Sequence, residues 1–190
     1  VYIDGEWDAT EDLLLAAAVR FEDFDGFGST TNYKLGANYK LNDNFGLRAT
    51  VSTGFKAPTA GQLNASNIST LIDTATNQLV NEGVIPATNP VAAKVGAIAL
   101  QPEESDNYTV GIFGSIGAID ITFDYFNIEV TDRLTLSKNF SLTAQDIIDL
   151  TAAGVAGADD ITVFKFFTND FETETSGFDL VLSTETEWMG

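Results

Sequence analysis

The chain has 190 residues, a formal net charge of −19 at pH 7 and a pI of about 4.1. This acidity excludes nucleic acid as a partner and excludes a polybasic membrane-surface patch, because too few basic residues are available to neutralise phosphates. Cysteine and histidine are absent, which excludes a disulfide framework, a thiolate metal site and a Ser-His-Asp triad. Without a Gly-rich phosphate loop either, we expect no enzyme activity, no bound metal and no cofactor.

The composition is rich in aromatic residues and poor in charge for a soluble protein, at 11% aromatic and 19% charged residues. No apolar run approaches the roughly 18 residues that a transmembrane helix needs. The chain opens at Val1 without an initiator Met or a basic leader. We therefore expect a fragment or a mature piece of a longer protein.

The first quarter of the chain predicts strands joined by short turns. Val1–Trp7 is typical of the end of a strand. Leu13–Phe24 alternates apolar with small or polar residues, which favours a strand, although the Leu- and Ala-rich sequence after Thr10 also suits a capped helix. We prefer the strand, because its neighbours are strands. Asp25–Gly28 is a turn signal.

Two further segments alternate strictly. Thr30–Leu41 and Asn44–Phe55 each have one apolar and one polar face, and the second has Phe45, Leu47, Ala49 and Val51 on one side. Between them, Asn42–Asn44 is a short connection of residues that tolerate the positive φ of a hairpin. The sequence thus predicts an up, down, up meander.

Two long segments interrupt the strands. Pro58 should end the sheet ladder, and no comparable period follows until about Glu103. The second segment covers about 135–160 and contains a predicted helix near Thr143–Ala153, with Thr143 as N-cap and Asp146 three residues on. We interpret residues 57–103 and 135–160 as long outer loops.

The remaining strands are less regular. Alternation resumes after Gln101 and again in Ile119–Val130, where the apolar phase changes at Tyr125–Phe126. A bulge would explain this change, and so would a strand that leaves the bilayer. Ile161–Glu187 predicts one tall strand, with a split near Asn169–Asp170 as the alternative.

About seven strands with short turns on one side and long loops on the other are typical of an all-β, antiparallel up-and-down transmembrane β-barrel. The apolar faces would contact outer-membrane lipid, and the polar faces would line a wet interior. Bacterial barrels have even strand numbers from about eight upward, so the chain predicts a sector of a larger barrel.

Several motifs resemble consecutive barrel strands of TonB-dependent outer-membrane receptors. The Gly-Phe-Lys-Ala-Pro and Pro-Glu-x-Ser-x-x-Tyr pieces are specific in this order and spacing, and the resemblance covers most of the chain outside the two long loops. The motifs lie at Arg20–Gly28, Lys34–Gly36, Arg48–Thr59 with Leu63, Leu100–Gly111 and Phe166–Leu180.

This resemblance implies a barrel of about 22 strands in the outer membrane of a Gram-negative bacterium, with a plug domain inside it and energy supplied by the TonB complex. Its ligand would be a scarce small molecule or metal chelate: a ferric siderophore, haem, cobalamin or a saccharide. Residues 1–190 would then form part of the barrel, while the plug, the TonB-contacting segment and the strand that closes the barrel would lie outside this chain. In this family the ligand is read by loop tips and by the plug surface.

Charged residues predicted to face the lumen are the candidate site residues. The two arginines would contact an anionic ligand or, as we prefer, act as partners of acidic wall residues. For the acidic candidates we likewise prefer contacts with solvent and the plug. The candidates are Arg20, Arg48, Asp120, Asp124 and Asp179.

Two other classes of protein remain open from the sequence. A passive porin-type or adhesin-type barrel shares the alternation but should lack the receptor-like motifs. A soluble β-sandwich shares the strands but requires the apolar faces to be buried against each other.

Overall fold

The computed structural model of the chain describes residues 1–24, 28–74, 77–158, 160–161 and 163–185. The described residues form mainly antiparallel strands with three short helices. The predicted turn at Asp25–Gly28 lies largely outside the described residues. In chain order the elements are β1 (Tyr2–Asp8), β2 (Leu13–Phe24), β3 (Gly28–Lys40), β4 (Phe45–Lys56), α1 (Ala60–Leu63), β5 (Asn67–Asp73), β6 (Gln78–Val84), α2 (Pro90–Lys94), β7 (Glu103–Ile116), β8 (Ile119–Leu136), α3 (Ala144–Ala152), β9 (Val163–Lys165) and β10 (Phe167–Thr184).

Seven of these strands form one sheet in the order β1-β2-β3-β4-β7-β8-β10. The register continues the apolar rows from strand to strand: Leu35 pairs with Ala17 on one side and with Val51 on the other. Their side chains are exposed or half-buried. The predicted alternation is therefore confirmed, and one face of the sheet presents apolar side chains outward.

Strand β2 settles the ambiguity at Leu13–Phe24. Every residue of this segment pairs with β3, from Leu13 opposite Tyr39 to Phe24 opposite Gly28. The strand prediction is confirmed and the helix alternative is wrong. Helix propensity in the Ala-rich stretch is overridden by ladder hydrogen bonds on both edges, since β1 pairs with its other side.

The hairpin between β3 and β4 is confirmed, but its turn differs from the predicted one. Positive φ at non-glycine residues of the described chain occurs only at Asn77 and Asp132. The turn is instead closed by the Asn42 side chain, whose Oδ1 accepts from the N–H groups of Asn44 and Phe45, each at 2.9 Å. Asn42 thus acts through its carboxamide and not through a left-handed backbone.

The pairing of β7 with β8 excludes a bulge at Tyr125–Phe126. Asp124 lies opposite Gly111, Tyr125 opposite Val110 and Phe126 opposite Thr109, with no extra residue. The predicted bulge is therefore wrong, and the apolar residues change face while the register stays constant. The other interpretation, that β8 leaves the bilayer here, stays a prediction.

The predicted tall strand is confirmed for most of its length as β10, which has 18 residues, but it begins at Phe167 and not at Ile161. Val163–Lys165 form the separate strand β9, and the chain leaves the strand conformation at Phe166. The alternative split at Asn169–Asp170 is wrong, because both residues lie inside β10, and the predicted end at Glu187 lies outside the described residues. Phe166 is 4% exposed, and its backbone bonds to Ser137: its carbonyl accepts from the Ser137 N–H at 2.9 Å, and its N–H donates to Ser137 Oγ at 3.1 Å. These bonds replace a sheet ladder at that point.

The chain divides into two compact units. The sheet unit comprises residues 1–56, 104–131 and 172–190, and the loop unit comprises residues 57–103 and 132–171. Within the loop unit, β5 and β6 form an antiparallel hairpin and β9 adds to β6 in parallel, with Gly83 opposite Phe164. The two segments interpreted as long loops are thus folded, and the first of them consists of elements too short to produce a detectable period.

The loop unit has its own hydrophobic core. The predicted helix near Thr143–Ala153 is confirmed as α3, with a capping box between Thr143 and Asp146. No helix in the described part of the chain is long and apolar enough to cross a membrane. The core side chains are Ile85, Ala87, Val91, Ala92, Leu100, Leu150, Ala158, Ile161, Phe164 and Phe166.

Candidate functional site

The polar face of the sheet carries an ion pair between Arg48 on β4 and Asp124 on β8. Arg48 Nε donates to Asp124 Oδ1 at 2.7 Å, and Nη2 donates to Oδ2 of the same carboxylate. The Arg48 side chain is 41% exposed and the Asp124 side chain 11%. This two-point geometry fixes both side chains better than a single contact would.

The pair spans an intervening strand, which a glycine makes possible. β7 lies between β4 and β8, and the residue opposite Asp124 is Gly111. A Cβ at Gly111 would lie 2.7 Å from Asp124 Cγ, closer than atoms can approach. Gly111 therefore leaves room for the carboxylate to reach Arg48. Sequence reasoning missed it, since a glycine within an alternating strand signals only a close approach.

A shallow depression surrounds the pair. Lys34 on β3 and Asp179 on β10 add one positive and one negative charge, so the depression holds two charges of each sign. The aromatic ring of Phe126 lies in it, over the backbone of Gly177, where a Cβ would meet the ring at 2.9 Å. The remaining lining residues are Thr50 and Thr109.

The other two candidates lie apart from this depression. Arg20 Nη2 donates to Glu22 Oε1 at 2.6 Å, two residues along the same strand. Asp120 accepts from the Ser115 hydroxyl at 2.6 Å, near the β7–β8 turn. The structure thus brings Arg48, Asp124 and Asp179 together and leaves Arg20 and Asp120 in local contacts.

No metal centre is formed by the residues that the structure describes: they contain no group of three or more carboxylates placed to hold an ion. Buried side-chain nitrogen and oxygen atoms in the described chain all have hydrogen-bond partners.

The loop unit has a separate charged cluster between α2 and α3. Lys94 Nζ lies 2.9 Å from Asp149 Oδ2 and 3.7 Å from Asp146 Oδ1. Its hydrogen bond with Asp149 raises the pKa of Lys94 and lowers the pKa of Asp149. The Thr143 hydroxyl and backbone N–H lower the pKa of Asp146, because both donate to the charged carboxylate. This cluster joins two helices whose pairing the sequence did not predict.

Comparison with known proteins identifies the architecture. The family model "TonB dependent receptor-like, beta-barrel" matches residues 1–189. The vitamin B12 transporter BtuB of Vibrio cholerae is 26% identical over 141 residues, which cover 73% of this chain and 18% of the transporter. This chain therefore spans less than a fifth of that relative.

Solved structures show the same fold. The siderophore receptor PirA of Pseudomonas aeruginosa superimposes with a TM-score of 0.66 at 17% identity, covering 94% of this chain and 29% of the receptor. The ferripyoverdine receptor of the same organism gives a TM-score of 0.54 at 18% identity, covering 98% and 20% respectively. These matches exclude the soluble β-sandwich that alternation alone left open. The chain belongs to the TonB-dependent receptor β-barrel family, whose members are receptors and transporters of the Gram-negative outer membrane.

Proposed function

We propose that this chain is part of the barrel wall of a receptor for active uptake of a scarce ligand such as a ferric siderophore, haem, cobalamin or a saccharide. The observation that carries the proposal is the family match over residues 1–189, on a sheet with one exposed apolar face and one polar face. The named relatives are a vitamin B12 transporter and siderophore receptors, which favours active uptake over the passive porin or adhesin. These relatives differ in ligand, so the ligand stays open.

In this proposal the polar face lines the barrel interior and faces a plug domain that, like the TonB-contacting segment, lies outside this chain. Arg20, Arg48, Asp120, Asp124 and Asp179 would all lie on that interior wall. Arg20 and Arg48 each have a carboxylate partner, which supports a role in the wall itself over direct ligand binding. The chain performs no catalysis in this proposal.

We further propose that residues 57–103 and 135–160 lie on the outer side and contribute ligand contacts. Their support is the folded loop unit, because a packed core fixes the positions of its surface residues.

Ligand binding by the full-length protein in detergent tests this function. Ferric enterobactin, haemin, cyanocobalamin and maltooligosaccharides would be titrated by calorimetry into the wild-type protein and into a variant with residues 57–100 shortened. We expect tight binding of one class, lost in the variant. The control is a receptor with the β3–β4 turn altered by Asn42→Ser, which leaves both long segments intact. Absence of binding together with a constant open-channel conductance in bilayers would refute active uptake.

A further inference from the structure

Polar side chains connect the segments by which the chain enters and leaves the loop unit. The chain passes from one unit to the other at four points: between residues 56 and 57, 103 and 104, 131 and 132, and 171 and 172. Four polar residues of the loop unit lie within three residues of the last three of these points: Gln101, Glu103, Asp132 and Asn169. Glu103 and Asn169 fall in two of the motifs that resemble receptor strands, at Leu100–Gly111 and Phe166–Leu180.

The Asn169 side chain imitates a neighbouring strand. Its Oδ1 accepts from the Gln101 N–H at 2.9 Å, and its Nδ2 donates to the Gln101 carbonyl at 2.9 Å. The same Nδ2 donates to the Asp132 carbonyl at 2.6 Å. One carboxamide thus joins three chain segments through three hydrogen bonds, using its acceptor and both of its donors.

Glu103 adds a second tie where the regular ladder ends. The last β7–β8 pair in the sheet unit is Glu104 opposite Thr131. Asp132 then takes a left-handed backbone, with φ of 52°. Beyond it, the carboxylate of Glu103, which is 6% exposed, accepts from the Leu134 N–H at 3.1 Å. A side chain therefore acts as the acceptor of a backbone N–H just beyond the last β7–β8 pair.

We propose that Asn169 is a positioning residue for ligand capture: its carboxamide holds the exits of the loop unit together, so that this unit keeps one arrangement. The ligand part of this proposal rests on the proposed function. The clamp, defined as Asn169 with its bonds to Gln101 and Asp132, is independent of the ligand. Without it, the segments at Gln101, Asp132 and Asn169 would separate more often and the loop unit would unfold locally more often, because two carbonyl groups would lose their donor.

Asn169→Asp in the full-length protein tests the clamp. Aspartate has the same size and can still accept, but it cannot donate to the two carbonyls and it places a negative charge beside them. The matched control is Asn107→Asp in the sheet unit, whose Nδ2 donates to the Ser52 carbonyl and to Ser105 Oγ, each at 3.3 Å.

Amide hydrogen exchange of both variants in detergent gives the first readout. In Asn169→Asp we expect amides of residues 57–103 and 132–171 to exchange about tenfold faster, the ratio expected when ordinary hydrogen bonds are lost, with β2, β3 and β4 unchanged. Asn107→Asp should leave the loop unit unchanged. Equal exchange of the loop unit in wild type and Asn169→Asp would overturn the clamp.

Uptake kinetics separate positioning from mere loss of folded protein. With whichever of ferric enterobactin, haemin or cyanocobalamin the wild type binds, Asn169→Asp should raise the half-saturating concentration about threefold or more, because ordering the loop unit then opposes binding. The maximal rate should be unchanged. A lower maximal rate at an unchanged half-saturating concentration would overturn the positioning role. If the wild type binds none of these probes, the proposed function fails for them, and the exchange result decides the clamp alone.

Discussion

The sheet unit and the loop unit bury opposite kinds of side chain. Every buried hydrophobic residue of the described chain belongs to the loop unit, where Phe164 is 0% exposed. In the sheet unit the buried polar or charged side chains are Asp124 and Asn127, at 8% and 5% exposed, while Val110 is 52% exposed. The loop unit follows the rule for proteins in water, in which apolar side chains are buried, and the sheet unit reverses it.

This reversal is the effect of a different solvent. An apolar face as continuous as that of the sheet would be an association site in water. In a bilayer the same face is solvated by lipid, and the ladder satisfies the backbone polar groups. A hydrophobic core is then expected only in a part of the chain that lies outside the lipid, which agrees with the proposed outer position of the loop unit.

The strongest test of this contrast removes a ring from the loop-unit core. Phe164→Ala should destabilise the loop unit by about 3–5 kcal/mol, because a large cavity replaces a fully buried ring that stacks near Phe140. Hydrogen exchange of residues 57–103 and 132–171 would measure the loss. The control is Phe123→Ala on the apolar face of the sheet, which should leave the loop-unit amides unchanged. A stable loop unit in Phe164→Ala would contradict an independent core.

A charge placed on each region tests the solvent directly. Leu35→Arg, on the apolar face of β3 between Tyr33 and Tyr39, should cost about 2–4 kcal/mol, because lipid cannot solvate a guanidinium. Urea titration of the full-length protein folded into liposomes would measure this cost. The matched change is Ile148→Arg on α3, where the side chain is 60% exposed and the effect should stay within about 0.5 kcal/mol. Equal costs at both positions would argue against lipid contact at Leu35.

A smaller effect is expected at the glycine beneath the ion pair. Gly111→Ala places a methyl group against the Asp124 carboxylate and the Phe123 carbonyl, and should cost about 1–3 kcal/mol as an overpacked site. The same folding titration measures it. Gly5→Ala on β1 is the control, since no atom lies within 4 Å of the position that a Cβ would take there. A neutral Gly111→Ala would show that the carboxylate has another path to Arg48.

The smallest effect concerns acid stability of the loop unit. The lowered pKa values of Asp146 and Asp149 stabilise the fold above their ordinary pKa, about 3.9, and this contribution is lost as the pH falls through the lowered values. Lys94→Met removes the cation, so the loop unit should depend less on pH below about 5. Exchange measured from pH 6 to pH 3, corrected for intrinsic rates, would detect this. The raised pKa of Lys94 acts in the opposite sense, since its contribution is lost only at strongly alkaline pH. An unchanged acid profile in Lys94→Met would show that Asp149 contributes little, and would assign the pH dependence to carboxylates held by other groups, such as Asp146 by Thr143.

The sequence predicted the sheet well, because a face exposed to lipid requires strict alternation. Strands β3 and β4 follow from that period alone, whereas β2 follows from the period together with its strand neighbours, and the β3–β4 turn follows from polar residues such as Asn42. The loop unit was predicted only at α3, where a capping box marks the start. Its other helices and strands are held by contacts distant in the chain, for example Gly83 with Phe164, and such contacts leave no local pattern.

The candidate site was predicted in part for the same reason. Alternation assigns Arg48, Asp124 and Asp179 to one face, but it gives no information on which of them meet. The Arg48–Asp124 pair depends on the order β4-β7-β8, which places residues 76 positions apart two strands from each other. The clamp at Asn169 was missed because a carboxamide in a strand has no distinctive spacing.

The Arg48–Asp124 pair has a mechanical consequence. Ladder hydrogen bonds resist the separation of adjacent strands but oppose bending between them only weakly. The Arg48–Asp124 pair connects β4 and β8, which lie about 9.5 Å apart because β7 stands between them. In the proposed barrel, where this polar face is the concave inner side of the wall, flattening the sheet at β7 would move the two side chains apart and break their hydrogen bonds. The pair would then stiffen the curvature of the wall across three strands, whereas each ladder bond acts only between two neighbours.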